Sequence, residues 1–385
     1  MTVRLVDRPE SFAALMAEIR GAPLVALDTE AASFHRYHDR IYLIQLSTPA
    51  LTAVIDPLGV GTLAPIGDLL ADPVVEKVFH DADYDLRLFD KEFGFHARRL
   101  FDTRIAAQFL NEPGIGLGAL LEKYFGVTAD KRFQRADWSA RPLSAAMLDY
   151  AAGDTDNLCE LQLILRNQLQ AAGRLAWVVE ECERLEGTRW TAAAADPAAD
   201  FLRMKGARVL DRRGLAILGE LHRWRSETAS ALDRAEFRVM GNEVLLALAQ
   251  RPAATVEELG AVKGVGRDMV DRRGAEILDA IARGLAVPDA NLPRMPRGER
   301  RTVEPAYELR LEALKRARNV LAENFNLAPG VLCPNGTLEA IAQAEPATLE
   351  ELGRVAEVRR WQLEALGSEL LAAVHSVTST VAKET

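Results

Sequence analysis

Two stretches in the second half of the chain are near copies of each other. ATVEELGAV beginning at Ala254 parallels ATLEELGRV beginning at Ala347, 93 residues further on. The same displacement aligns Leu221 with Leu314, Arg223 with Arg316, Arg225 with Arg318, Ala229 with Ala322, Asn242 with Asn335 and Leu245 with Leu338, without a gap. Matching of that extent requires one small unit used twice. In each copy a Thr with Glu soon after it precedes an apolar run, the capping chemistry of a helix start, and Gly and Pro divide the rest into amphipathic helices. The Pro- and Arg-rich segment from Val287 to Arg301 reads as the joint between the copies.

The first half has a different period. Leu24 to Asp28, Ile41 to Ser47, Thr52 to Asp56 and Val75 to His80 are short, apolar and partly β-branched, and read as strands. Their close succession predicts antiparallel neighbours within a mixed sheet, followed by helices near Tyr84 to Phe93, Thr103 to Leu110 and Ser144 to Leu169. The β signals stop at Thr191 to Asp200, TAAAADPAAD. The expected division is an α/β domain over 1–190, a linker over 191–206, helical domains over 207–290 and 304–385, and a second linker over 291–303.

With 385 residues, 49% of them apolar, the chain has material for several packed cores. No apolar run is long enough for a membrane span, MTVRLVDRPESF lacks a secretory pattern, and a cytoplasmic location is expected. Cys159, Cys182 and Cys333 are far apart and form no CxxC pair, which predicts packed thiols rather than zinc or disulfides. The net charge of −9 opposes a nucleic-acid partner unless the acids are clustered around cations and a local basic face remains.

Acids are indeed clustered. Asp28 and Glu30 follow the strand LVAL, and their i, i+2 spacing projects both carboxylates to one face. Two acids there repel unless a cation holds them, though a solvated strand end would show the same pattern. HDADYDLRLF closes another strand and opens a helix, with Asp81, Asp83 and Asp85 competing between capping and a site. Asp85 is the one spaced about a turn from Leu88 and Phe89 to face inward. Tyr150 and Asp154 are an i, i+4 pair on one helix face, while Asp149 is rotated toward solvent. His38 and His80 have no partner at ligand spacing, so packing or RNA contact is expected of them.

In order and context the three clusters resemble the DEDD exonuclease superfamily in its tyrosine-bearing branch. ALDTE, YLIQLS, KVFHDADYDLRLF, LFDTRIAAQFL and DKRFQRADWSARPLSAAMLDYAAGD narrow the resemblance to the ribonuclease D family. That resemblance implies a ribonuclease H-like exonuclease domain followed by two HRDC domains, and processing of transfer-RNA 3′ ends with release of nucleoside 5′-monophosphates. It implies two divalent metal ions, Mg2+ or Mn2+, held by Asp28, Glu30, Asp85 and Asp154, with Tyr150 orienting water. Gly153, placed mid-helix, is a local departure. A DNA 3′→5′ exonuclease, and a silent nucleic-acid-binding scaffold, are the competing readings.

Candidates for RNA contact are Lys131, Arg132, Arg135 and Arg141 around Trp138, itself read as packing. In the first repeat the turn Lys263-Gly-Val-Gly-Arg267 could offer backbone N–H groups to phosphate, or simply join two helices. The second repeat has Glu357 and Arg359 in place of Gly264 and Gly266, so the copies are not expected to bind alike. Arg294 to Arg318 holds eight basic residues (Arg294, Arg297, Arg300, Arg301, Arg310, Lys315, Arg316 and Arg318) against four glutamates, a candidate grip on structured RNA.

Overall fold

The computed structural model describes residues 3–128, 130–191, 197–296 and 304–384, with side chains throughout except at 197–198 and 378–384. The α/β domain contains β1 (Arg4–Val6), α1 (Pro9–Glu18), β2 (Leu24–Ala31), β3 (Ile41–Ser47), β4 (Thr52–Ile55), α2 (Ala64–Ala71), β5 (Glu76–Phe79), α3 (Asp83–Phe93), β6 (Leu100–Asp102), α4 (Thr103–Phe109), α5 (Leu117–Phe125), α6 (Ala145–Gly153), α7 (Leu158–Ala171) and α8 (Leu175–Leu185). The strands form one mixed sheet in the order β1-β4-β3-β2-β5-β6. As the close spacing predicts, β2, β3 and β4 are antiparallel neighbours, and the parallel pairs lie outside them. All seven residues of β3 are buried, which suits its central place. The strands not anticipated, β1 and β6, have three residues each, too few to display a period.

The predicted single helix from Ser144 to Leu169 is two. α6 ends at Gly153, Asp154 is its C-cap, and turns through Asn157 lead into α7. The interruption is bought by side chains: Thr155 turns inward to bond Ser47, and Asp156 accepts from Thr52. Gly153 therefore ends a helix rather than weakening the middle of one, and a Cβ there would meet open space.

Helices α9 (Arg212–Ala231), α10 (Glu236–Val239), α11 (Asn242–Gln250), α12 (Val256–Gly260) and α13 (Arg267–Ala286) form the first helical unit. The second consists of α14 (Pro305–Phe325), α15 (Pro329–Leu332), α16 (Asn335–Ala344), α17 (Leu349–Gly353) and α18 (Arg360–Glu384). Every helix of the second copy starts 93 residues after its counterpart. Aligned residues do the same work: Arg225 donates to Met240 O and Asn242, Arg318 to Cys333 O and Asn335. Thr255 and Thr348 each cap the next short helix.

The copies are attached differently. The first has its own core and meets the loop after β2, where Ala235 N donates to His35 O and the Tyr37 and Ser226 hydroxyls pair at 3.0 Å. The second shares a continuous core with the α/β domain, with Trp361 stacked on Trp177 at 4.6 Å. Among the described residues no helix is long and apolar enough to cross a membrane.

Candidate active site

Asp28 and Glu30 stand on β2 opposite Gln45 and Leu43 of β3, and the ladder shifts register immediately after Glu30. Such a bulge bends the strand and re-aims the side chains beside it. Asp85 enters from the first turn of α3 and is 5% exposed, its carboxylate accepting from the Thr29 hydroxyl. Asp154 closes α6 and Tyr150 precedes it by a turn. The Tyr150 ring is held edge-on by Phe133 at 5.8 Å and lies beside Trp138 at 5.9 Å.

The competing acids are sorted by their partners. Asp81 pairs with Arg104, and Asp83 with Arg87 one turn away, so both face outward. Asp149 is exposed, as its rotation around α6 predicts. The cap of the β5–α3 turn comes from elsewhere. Asp102, 2% exposed, accepts from the backbone N–H groups of Asp81 and Ala82 and also caps α4 through Arg104 and Ile105. Sequence reasoning did not assign Asp102, although Asp before Thr at a helix start is the N-cap signal that could have found it. Asp102 fixes the turn that delivers Asp85.

The four carboxylates act on one another. Burial, then Asp85, Asp154 and Glu30, raise Asp28 well above the usual range. Glu30 is pushed to about 9 by burial, Asp154 and Asp85. Burial takes Asp85 and Asp154 each to about 7. Tyr150 is raised too, by burial and then by Asp154, Glu30 and Asp28, so its phenol stays protonated at neutral pH. Among the described residues no group of three or more acidic, histidine or cysteine side chains is arranged, as it stands, to hold a metal ion. The donor set fits hard divalent cations all the same, being oxygen-only and mutually repelling. His80 bonds Thr103 and burial lowers it to about 4, which makes it a neutral packing group, while His38 is exposed.

Residues 3–170 match the family described as 3′-5′ exonuclease, and residues 214–281 and 308–374 each match the HRDC domain. A ribonuclease D from Granulibacter bethesdensis is 35% identical over 96% of this chain and 91% of its own length. The chain belongs to the ribonuclease D family. It is a 3′→5′ exoribonuclease of that family, with an α/β exonuclease domain and two HRDC domains. The crystal structure of ribonuclease D from Escherichia coli, described as an exoribonuclease involved in structured RNA processing, superposes with a TM-score of 0.68 at 26% identity. It covers 98% of this chain and 99% of that one. A Bifidobacterium adolescentis protein has the same fold, with a TM-score of 0.81 at 23% identity over 97% of each chain.

Several residues expected to touch RNA are otherwise engaged in this ribonuclease D fold. Arg141 is committed to Asp56 and to the carbonyls of Tyr42, Trp138 and Ala140, and it anchors the loop before α6. Trp138 is packed, 1% exposed. Lys131, Arg132 and Arg135 are exposed, and Arg135 lies 5.4 Å from the exposed ring of Phe34. Arg238 covers the same ring at 5.0 Å, and Phe237 packs on it at 4.9 Å. Of the basic segment, Arg297, Arg300 and Arg301 lie outside the described residues. Arg310 is buried against Glu345 and Ala342 O, and Arg318 serves the repeat's own core, so neither is a surface grip.

Proposed function

We propose that the chain hydrolyses RNA from its 3′ end with two divalent cations, magnesium or manganese, and that transfer-RNA precursors are its substrate class. Asp28, Glu30, Asp85 and Asp154 are the residues that would hold the ions. The observation that carries this reading is the convergence of four buried carboxylates from β2, α3 and α6: burial raises all four, and the charges of their neighbours raise Asp28, Glu30 and Tyr150 further. Bound there, such cations supply the Lewis acidity that in-line displacement at phosphorus requires.

The chain's own groups do the rest. Tyr150, kept neutral, orients the attacking water through its hydroxyl, with Phe133 and Trp138 holding the ring. Phe34 and Phe237, flanked by Arg135 and Arg238, offer a stacking surface with cationic edges for the single-stranded end. In the first HRDC domain the residues Lys263, Gly264, Gly266 and Arg267 are exposed at the start of α13, which has no side-chain cap. In the second the equivalent N–H groups of Arg360 and Trp361 are covered by the Glu180 carboxylate, at 2.7 and 3.1 Å. A carboxylate on those amides supports phosphate binding at the open copy and explains why the copies differ.

The test is shortening of a 5′-labelled single-stranded RNA by the full chain. Cleavage is expected to stop in excess chelator and return with magnesium or manganese; undiminished cleavage in chelator overturns the metal reading. Matched transfer-RNA precursors and unrelated structured RNAs, compared by kcat/KM, test the substrate class.

A further inference from the structure

Gln45 is the odd group on β3, a primary amide at the centre of a buried strand. It is 0% exposed, and neither its Nε2 nor its Oε1 has a hydrogen-bond partner in the protein. An amide stripped of water without compensation is destabilising relative to a Leu or Met of similar volume. Its position is fixed by register: Gln45 stands directly across from Asp28 on one side and from Val54 on the other. Residues paired in this way share a face of the sheet, with Cβ atoms roughly 5 Å apart. The other polar side chains along that face are already committed, Ser47 to Thr52 and Thr155, and Thr52 to Asp156.

We propose that Gln45 is a positioning residue for Asp28, its unpartnered Nε2–H placed across the strand pair to donate to the Asp28 carboxylate when a divalent cation is bound. The amide would thereby fix the orientation of the acid that the other three carboxylates surround. A neutral donor suits this place. Lys or Arg would satisfy Asp28 by charge and compete with the metal ion, whereas an amide orients the carboxylate and leaves its charge free. The inference rests on the metal-ion reading of the cluster.

Calorimetric titration of the full chain with Mn2+ alone, beside melting in chelator, separates the two ideas. Gln45→Met and Gln45→Leu keep the volume and drop the amide. Both are expected to melt at or above the parent temperature in chelator, yet to bind Mn2+ roughly 10-fold or more weakly. Their kcat on a short RNA should fall with KM unchanged. A parent protein that takes up no Mn2+ overturns the metal reading itself. If the parent binds and the variants bind equally tightly, only the role of Gln45 is overturned. Variants that melt well below the parent also overturn it, because they mark the amide as a structural group.

Discussion

At the scale of single residues, the site is an assembly of acids that the folded chain tolerates rather than favours. Unfolded Asp and Glu titrate near about 4, whereas Asp85 and Asp154 are raised to about 7 and Glu30 to about 9. A carboxyl with a raised folded pKa contributes stability below its unfolded pKa and loses it as pH rises through the folded value. In chelator the protein is therefore expected to melt at progressively lower temperature from pH 5 to pH 9, and Mg2+ or Mn2+ should restore the difference. Glu30→Gln should flatten the upper part of that profile; a melting temperature independent of pH would contradict the clustering. Tyr150 is raised above its ordinary value and cannot serve as a base near neutrality. Tyr150→Phe is expected to lower kcat about 100-fold, the scale of a misplaced reactant, with RNA affinity and Mn2+ affinity unchanged. Single-turnover rates and binding isotherms check this, and equal rates would remove the phenol from the mechanism.

At the scale of elements, one candidate RNA surface is built where the loop after β2 meets α10 of the first HRDC domain. Phe34 lies in the loop after β2, four residues beyond Glu30, and is met by Phe237 and Arg238 of α10. Stacking of one base on an aromatic is worth about 1–3 kcal/mol, so Phe34→Ala should raise KM for single-stranded RNA roughly 10-fold with little change in kcat. If instead the pair only joins the domains, the variant will lower the melting temperature and leave KM alone. The two helix-start turns of the HRDC domains make a second comparison. Reversing charge at Lys263 and Arg267 should weaken binding of structured RNA and reduce its salt dependence, because phosphate contacts release counterions. The same change at Arg359 and Arg360 should act on stability, since those residues pair with Glu181, Glu180 and Glu183.

Over the whole molecule, the second HRDC domain is part of the nuclease core. Trp361, 2% exposed, stacks on Trp177 and meets Phe109 at 5.4 Å, and Arg174 donates to Phe325 O. Truncation after Val287 would be expected to spare short substrates if the C-terminal half were a detachable arm. With this shared core, removing 304–385 should instead destabilise the exonuclease domain and reduce cleavage of short RNA as well. Trp361→Ala alone should cost about 3–5 kcal/mol, as for a buried Trp, read by urea unfolding. A truncated chain that cleaves a short RNA at the parent rate would contradict this.

What the sequence determined by itself is local or periodic. The repeat showed that the second helical unit copies the first, the buried strands β2 to β5 showed as apolar runs, and the i, i+2 and i, i+4 spacings marked Asp28, Glu30, Tyr150 and Asp154. Asp85 was legible because its distance from Leu88 and Phe89 turned it inward. Contacts between distant segments were not legible. β1 and β6 are strands because neighbours pair with them, and α6 ends because Thr155 and Asp156 find partners on β3 and β4. Asp102 supports a turn 20 residues away, Arg141 is consumed by Asp56, and of the two HRDC domains one keeps its own core while the other shares that of the α/β domain. A side chain's role in each case depends on which partner the tertiary fold brings within hydrogen-bond reach, and no spacing along the chain encodes that.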